Sequence, residues 1–168
     1  MSVVTVRAPI AGRVVPMSAV SDPVFAEAML GPGLGIDPAR VPQADVGAPV
    51  EGVVRTALPH AVAVQTPLGH AVLVHLGLDL AELRGAGFLV GVSKGDHVEL
   101  GQLLVSWSPS DIAAAGHAVV TAVVALEAEP AELSFLVEPG DEVAPGDPLF
   151  TWDRSERDRA PRRPRGRR

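Results

Sequence analysis

The sequence predicts an all-β chain, an antiparallel β-sandwich with a few short helical turns. Three observations carry that expectation. Short β-branched runs recur along the chain. Seventeen glycines and sixteen prolines punctuate them. Helical periodicity is scarce.

The runs come in order as "VVTVRA", "GRVVPM", "GVVRTAL", "AVAVQT", "AVLVHLG", "LLVSWS", "AVVTAVVAL", "LSFLV" and "PLFTW". Each is strand-sized and ends at glycine, proline or a polar cluster. Between the second and third runs, "SDPVFAEAML" places Asp22 as a helix cap before Pro23 at the first helical position, which predicts a short helix. "DLAEL" and "SDIAAAG" each predict a turn or two. Two echoes suggest related halves: "APIAGRVV" returns as "APVEGVV", and "KGDHVELGQLL" returns as "PGDEVAPGDPL".

The 168 residues, 47% apolar, suit one domain with a substantial core. The longest apolar run, "VVTAVVAL", is too short to cross a bilayer, so no membrane insertion is expected. The N-terminal "MSVVTVRAPI" shows no export signal. Cysteine is absent, which excludes a disulfide framework and thiol catalysis and agrees with a cytoplasmic protein.

Charge divides the chain. Residues 1–152 carry 17 acidic and 6 basic side chains, a balance of −11, whereas residues 153–168 carry 3 and 8, a balance of +5. The domain boundary is therefore set at 152/153, with an Arg-rich, disordered, solvated tail beyond it. An acidic body argues against nucleic-acid binding and favours a basic protein partner.

Five histidines are candidates for chemistry. His97 lies in a polar turn, His117 at a strand start and His70 at a hairpin tip, where structural or surface roles suffice. His60 and His75 differ. His60 opens "HAVAVQT", His75 closes "AVLVHLG", and a "TPLG" turn lies between. Antiparallel pairing about that turn would bring the two rings together at one end of the hairpin. Two imidazoles on an apolar sheet are costly as idle burial. On spacing alone, chance and function remain equally open.

The segments "DPVFAEAMLGPGLGIDP", "APVEGVV", "PHAVAVQTPLGHAVLVHLGLDLAELRGAGF" and "KGDHVELGQLL" together resemble the glucose-class enzyme IIA of the bacterial sugar phosphotransferase system. The specific parts are the fifteen-residue spacing of His60 and His75 and the "VHLGLD" segment. The resemblance spans roughly residues 4–152 and implies a barrel-sandwich hybrid that carries a phosphoryl group. The donor would be the phosphocarrier HPr, and the acceptor a cysteine on the enzyme IIB domain of a permease. No cofactor is implied.

The resemblance makes His75, in the His-x-Gly-x-Asp motif, the phosphoryl acceptor. His60 would stabilise the transferring group, and the Gly77 carbonyl would orient the acceptor ring. Asp22 and Asp79 would meet an arginine of the donor. Val24, Phe25, Met29, Leu30 and Leu73 would form an apolar docking rim. Two positions depart from the family: Leu58 stands where a threonine commonly holds the first histidine, and Leu73 replaces a phenylalanine.

Three other classes compete. A regulatory protein could bind through the same face. A biotinyl- or lipoyl-type carrier would need a lysine at a hairpin tip, and Lys94 in "SKGD" lacks that context. A zinc hydrolase would need three protein ligands, of which His60 and His75 supply two.

Overall fold

The computed structural model describes residues 2–20, 22–78, 83 and 85–156. Fourteen strands run through them: β1 (Val3–Arg7), β2 (Gly12–Pro16), β3 (Gly33–Asp37), β4 (Ala44–Gly47), β5 (Gly52–Leu58), β6 (Ala61–Gln65), β7 (Ala71–Leu76), β8 (Phe88–Val90), β9 (His97–Val98), β10 (Leu103–Trp107), β11 (Thr121–Ala125), β12 (Leu133–Phe135), β13 (Glu142–Val143) and β14 (Pro148–Asp153). Two short helices, α1 (Pro23–Ala26) and α2 (Pro109–Ala114), join them. The all-β expectation holds, and every pairing is antiparallel.

The strands form an eight-stranded sheet, ordered β13-β2-β3-β11-β7-β6-β5-β9, and two three-stranded sheets, β1-β14-β12 and β4-β10-β8. This order is palindromic in kind. Strands β4 to β10 make one set of seven, inserted between β3 and β11 of an equivalent set made by β1–β3 and β11–β14. The two echoes in the sequence mark corresponding places. Val14 N donates to Asp141 O and Gly140 N to Val14 O, both at 2.8 Å. Val54 N donates to Asp96 O and Gly95 N to Val54 O, also at 2.8 Å. The Asp141 and Asp96 carboxylates each accept a 2.8 Å bond from the backbone three residues earlier, at Glu138 and Ser93. The sets also clasp each other, with Arg7 N on Pro49 O and Gly47 N on Pro9 O.

One large core joins all three sheets. Val6, Phe150 and Trp152 come from the first small sheet, and Val46, Leu104 and Trp107 from the second. Val54, Val62, Val64, Val72, Val74, Leu76 and Val123 come from the large sheet. Burial of each such valine or leucine is worth roughly 1.5–3 kcal/mol. Along β7 the pattern alternates strictly: Val72, Val74 and Leu76 are buried in this core, while Ala71, Leu73 and His75 face the other side. The opening of α1 and a second, smaller cluster of Met17, Val20, Phe25, Leu78, Ala122 and Val124 cover that other side.

The short helix expected in "SDPVFAEAML" is present as a single turn, because Ala28 has φ +52° and turns the chain out of it. "DLAEL" falls mostly outside the described residues. Close to the expected 152/153 boundary, Asp153 ends β14 opposite Val3, and Arg154 N donates to Ser2 O at 2.9 Å. Residues 157–168 of the expected tail lie outside the described residues.

Candidate functional site

The hairpin of β6 and β7 places the two histidines as the sequence spacing suggested. Ala61 pairs with His75 and Gln65 with Ala71 about the 66–70 turn. His60 itself is not in a strand. It occupies, with Pro59, the two-residue loop between β5 and β6, where Leu58 pairs with Ala61. The ladder runs one step further through Leu76 N, which donates to His60 O at 2.7 Å. That bond ties the loop to the end of β7, and the two rings meet edge to face with centroids 5.2 Å apart and planes at 74°.

His75 is the better fixed of the two. Its Nδ1–H donates to the Gly77 carbonyl at 2.9 Å, so Nε2 keeps its lone pair. Gly77 can present that carbonyl because it sits at φ +66°, a left-handed conformation that side chains disfavour. The neighbours of His75 across the sheet are both alanines, Ala61 on β6 and Ala122 on β11. Small residues on either side leave the imidazole standing above a shallow floor. Phe25 closes a third side, its ring centroid 4.8 Å from that of His75 at 53°.

Electrostatics favour a neutral ring at His75. Burial pushes its pKa below the ordinary 6.5, the Gly77 carbonyl pulls upward, His60 adds to the lowering and Asp22 opposes it. The result is a free-base imidazole with one nitrogen committed and one available, which is the requirement for a nitrogen nucleophile.

The other residues expected at the site fall into three groups. Asp22 caps α1, its Oδ1 accepting from Val24 N at 2.9 Å, and it acts electrostatically on His75. Val24, Met29 and Leu30 are exposed, Met29 to 68%, and Leu73 is half-buried beside the smaller cluster. Phe25 departs from the expected exposed rim: it is 5% exposed and belongs to the smaller cluster with Met17 and Val20. Its position follows from the Asp22 cap and Pro23, which direct the single turn of α1 down onto the sheet. Asp79 lies outside the described residues.

Leu58 is exposed and offers His60 no bond. Among the described residues no hydrogen bond to the His60 ring is present, so its placement rests on the loop backbone and on His75. His70 is fully buried and structural: Nδ1 meets Thr66 Oγ1 at 3.1 Å, Nε2 donates to Ser2 O at 2.9 Å, and the ring stands edge-on to Trp152. His97 is exposed, 3.5 Å from Glu51. Among the described residues no three metal-ligating side chains gather in one place.

The small floor of the site is the feature that sequence reasoning missed. Its signal lies in the alternating alanines of "AVAVQT" and in Ala122 of "VVTAVVAL".

An eight-stranded antiparallel sheet with two neighbouring histidines on the face away from the main core is the arrangement compared with known proteins. Residues 4–131 match the family model described as phosphoenolpyruvate-dependent sugar phosphotransferase system, EIIA 1. The "PTS system glucose-specific EIIA component" of Oceanobacillus iheyensis is 36% identical over 123 residues, covering 72% of this chain and 73% of that protein. The solved glucose permease IIA from Mycoplasma capricolum superposes with a TM-score of 0.79 at 31% identity, over 90% of this chain and 96% of that one. This chain belongs to the EIIA 1 family of the phosphoenolpyruvate-dependent sugar phosphotransferase system. It is a phosphotransferase component, a phosphocarrier of sugar transport.

Proposed function

We propose that His75 is the residue that carries the phosphoryl group. It accepts the group from phospho-HPr and passes it to a cysteine of an enzyme IIB domain. The observation that carries this assignment is the Nδ1–Gly77 bond, which commits one ring nitrogen and leaves Nε2 as nucleophile. In the first step the bond from phosphorus to the donor breaks as the bond to Nε2 forms. In the second, the P–Nε2 bond breaks as a thiolate sulfur attacks. His60, 5.2 Å away between centroids, donates a hydrogen bond to the phosphoryl oxygens in both steps.

Val24, Met29, Leu30 and Leu73 form the docking rim, with Met29 and Leu30 at the Ala71 end of β7. With a partner seated on them, water is excluded from the labile phosphoramidate. The acidic body favours a basic donor, and Asp22, which acts electrostatically on His75, and Asp79 would meet its arginine. Among the described residues no helix is long and apolar enough to cross a membrane, and the carrier acts in the cytoplasm beside the permease it serves.

The test is incubation with phosphoenolpyruvate, enzyme I and HPr, followed by intact-mass measurement. One acid-labile phosphate is expected on the wild type and none on a folded His75→Ala variant. Normal labelling of that variant overturns the assignment.

A further inference from the structure

Phe25 sits where a docking residue was expected, yet its surroundings give it a different task. It is 5% exposed, so a partner has little of it to touch. It packs with Met17, Val20, Leu78, Ala122 and Val124, the cluster on the outer face of the large sheet. Ala122 is also the direct cross-strand neighbour of His75. The Phe25 ring therefore rests on the same floor as the imidazole and leans against it at 4.8 Å.

The other sides of that imidazole are thinly walled. Ala61 and Ala122 are too short to hold a ring in place, and Gly77 restrains it through one hydrogen bond. One bond fixes a nitrogen but leaves the ring free to rock about it. A flat apolar surface against the ring removes that freedom.

We propose that Phe25 is the positioning residue for His75: its buried ring, set by the Asp22-capped turn of α1, holds the imidazole in one orientation and keeps water from it. This rests on His75 being the phosphoryl acceptor. The charged groups that face His75 are His60, from the loop between β5 and β6, and Asp22, from the start of α1. Neither is altered by changing Phe25, so a change in His75 titration reports the lost cover.

The experiment is a graded series, Phe25→Leu, Phe25→Val and Phe25→Ala, read three ways. The His75 imidazole is titrated by NMR in the unphosphorylated protein, phosphoryl uptake from phospho-HPr is resolved into kcat and KM, and folding is followed by Tm. As apolar cover shrinks, the titration midpoint should rise toward the ordinary value. In step with it, kcat should fall, by about tenfold at Ala, where a misplaced nucleophile loses its alignment. KM should stay within about twofold of wild type, and Phe25→Leu should retain most of the rate.

Two results overturn the proposal. A raised KM with kcat and midpoint unchanged makes Phe25 a docking contact. A lowered Tm with midpoint, kcat and KM all unchanged makes it core alone. The series is readable from Leu and Val even where Ala does not fold. Labelling of His75→Ala, by contrast, overturns the acceptor assignment and leaves the titration result standing.

Discussion

His60 and His75 meet edge to face at 5.2 Å, yet of these two rings, among the described residues, His75 alone has a hydrogen-bonded nitrogen. That asymmetry separates nucleophile from helper, and the same substitution should expose it. Glutamine keeps a neutral N–H donor of similar reach but cannot attack phosphorus. His75→Gln should take up no phosphate. His60→Gln should still be labelled by phospho-HPr but should transfer to an enzyme IIB cysteine ~10²–10³-fold more slowly, the usual cost of one lost transition-state donor. Transfer at the wild-type rate would make His60 a bystander.

The lowered pKa of His75 gives a pH dependence with a definite sign. Burial is the largest cause, and the neutral ring is the form the fold prefers. Uptake from phospho-HPr should thus be flat above about pH 6.5 and should decline only as pH falls through the lowered value. Stability follows the same window. The unfolded chain binds the proton first, so the contribution of His75 is complete above its ordinary 6.5 and is lost as pH falls from there through the folded pKa. Urea unfolding at pH 7.5 and pH 5 should therefore show a larger acid loss for wild type than for His75→Gln. An uptake midpoint above 6.5 would contradict this.

Gly77 combines two roles in one residue, and one substitution should affect both. At φ +66° an alanine incurs the left-handed penalty of roughly 1–2 kcal/mol. For a chain of this size that is a fall in Tm of about 2–8 °C, measurable by calorimetry. Any relief of the strain moves the carbonyl that holds Nδ1. Gly77→Ala should then lose phosphoryl uptake beyond what its stability explains, at a temperature where it is fully folded. Unchanged uptake would mean that the Nδ1 bond is dispensable.

Much of this was legible in the sequence, for physical reasons. Strands such as β5 and β7 declare themselves because β-branched runs end at clear turns, and the 66–70 turn fixes the register that brings His60 to His75. Strand β3 does not, because "GLGID" looks like a loop. Its glycines are required by close approach: a Cβ on Gly33 would stand 2.0 Å from Val123 O, and one on Gly35 2.7 Å from a Val15 methyl. Two- and three-residue strands such as β9, β13 and β8 carry too little pattern to be seen. The burial of Phe25 was hidden for a different reason. Apolar residues on a single capped turn can point to solvent or to the sheet, and only tertiary structure says which.

That division gives the last prediction, on docking. Met29 is 68% exposed and Leu30 lies beside it, both beyond the left-handed Ala28 that ends the α1 turn. Exposed apolar side chains on the segment that follows the α1 turn mark a contact surface, and their removal acts on association rather than on folding. Met29→Ser and Leu30→Ser should each raise the KM for phospho-HPr several-fold. They should leave kcat near wild type and change stability by less than about 0.5 kcal/mol, as surface substitutions do. The double variant should raise KM further, since the two positions belong to one contact. This is the reverse of the pattern expected at Phe25, three residues before Ala28, although a sequence reading places all of them on one rim. Steady-state uptake assays on the three positions side by side distinguish the roles: a KM unchanged by both serines would move the docking surface away from this segment.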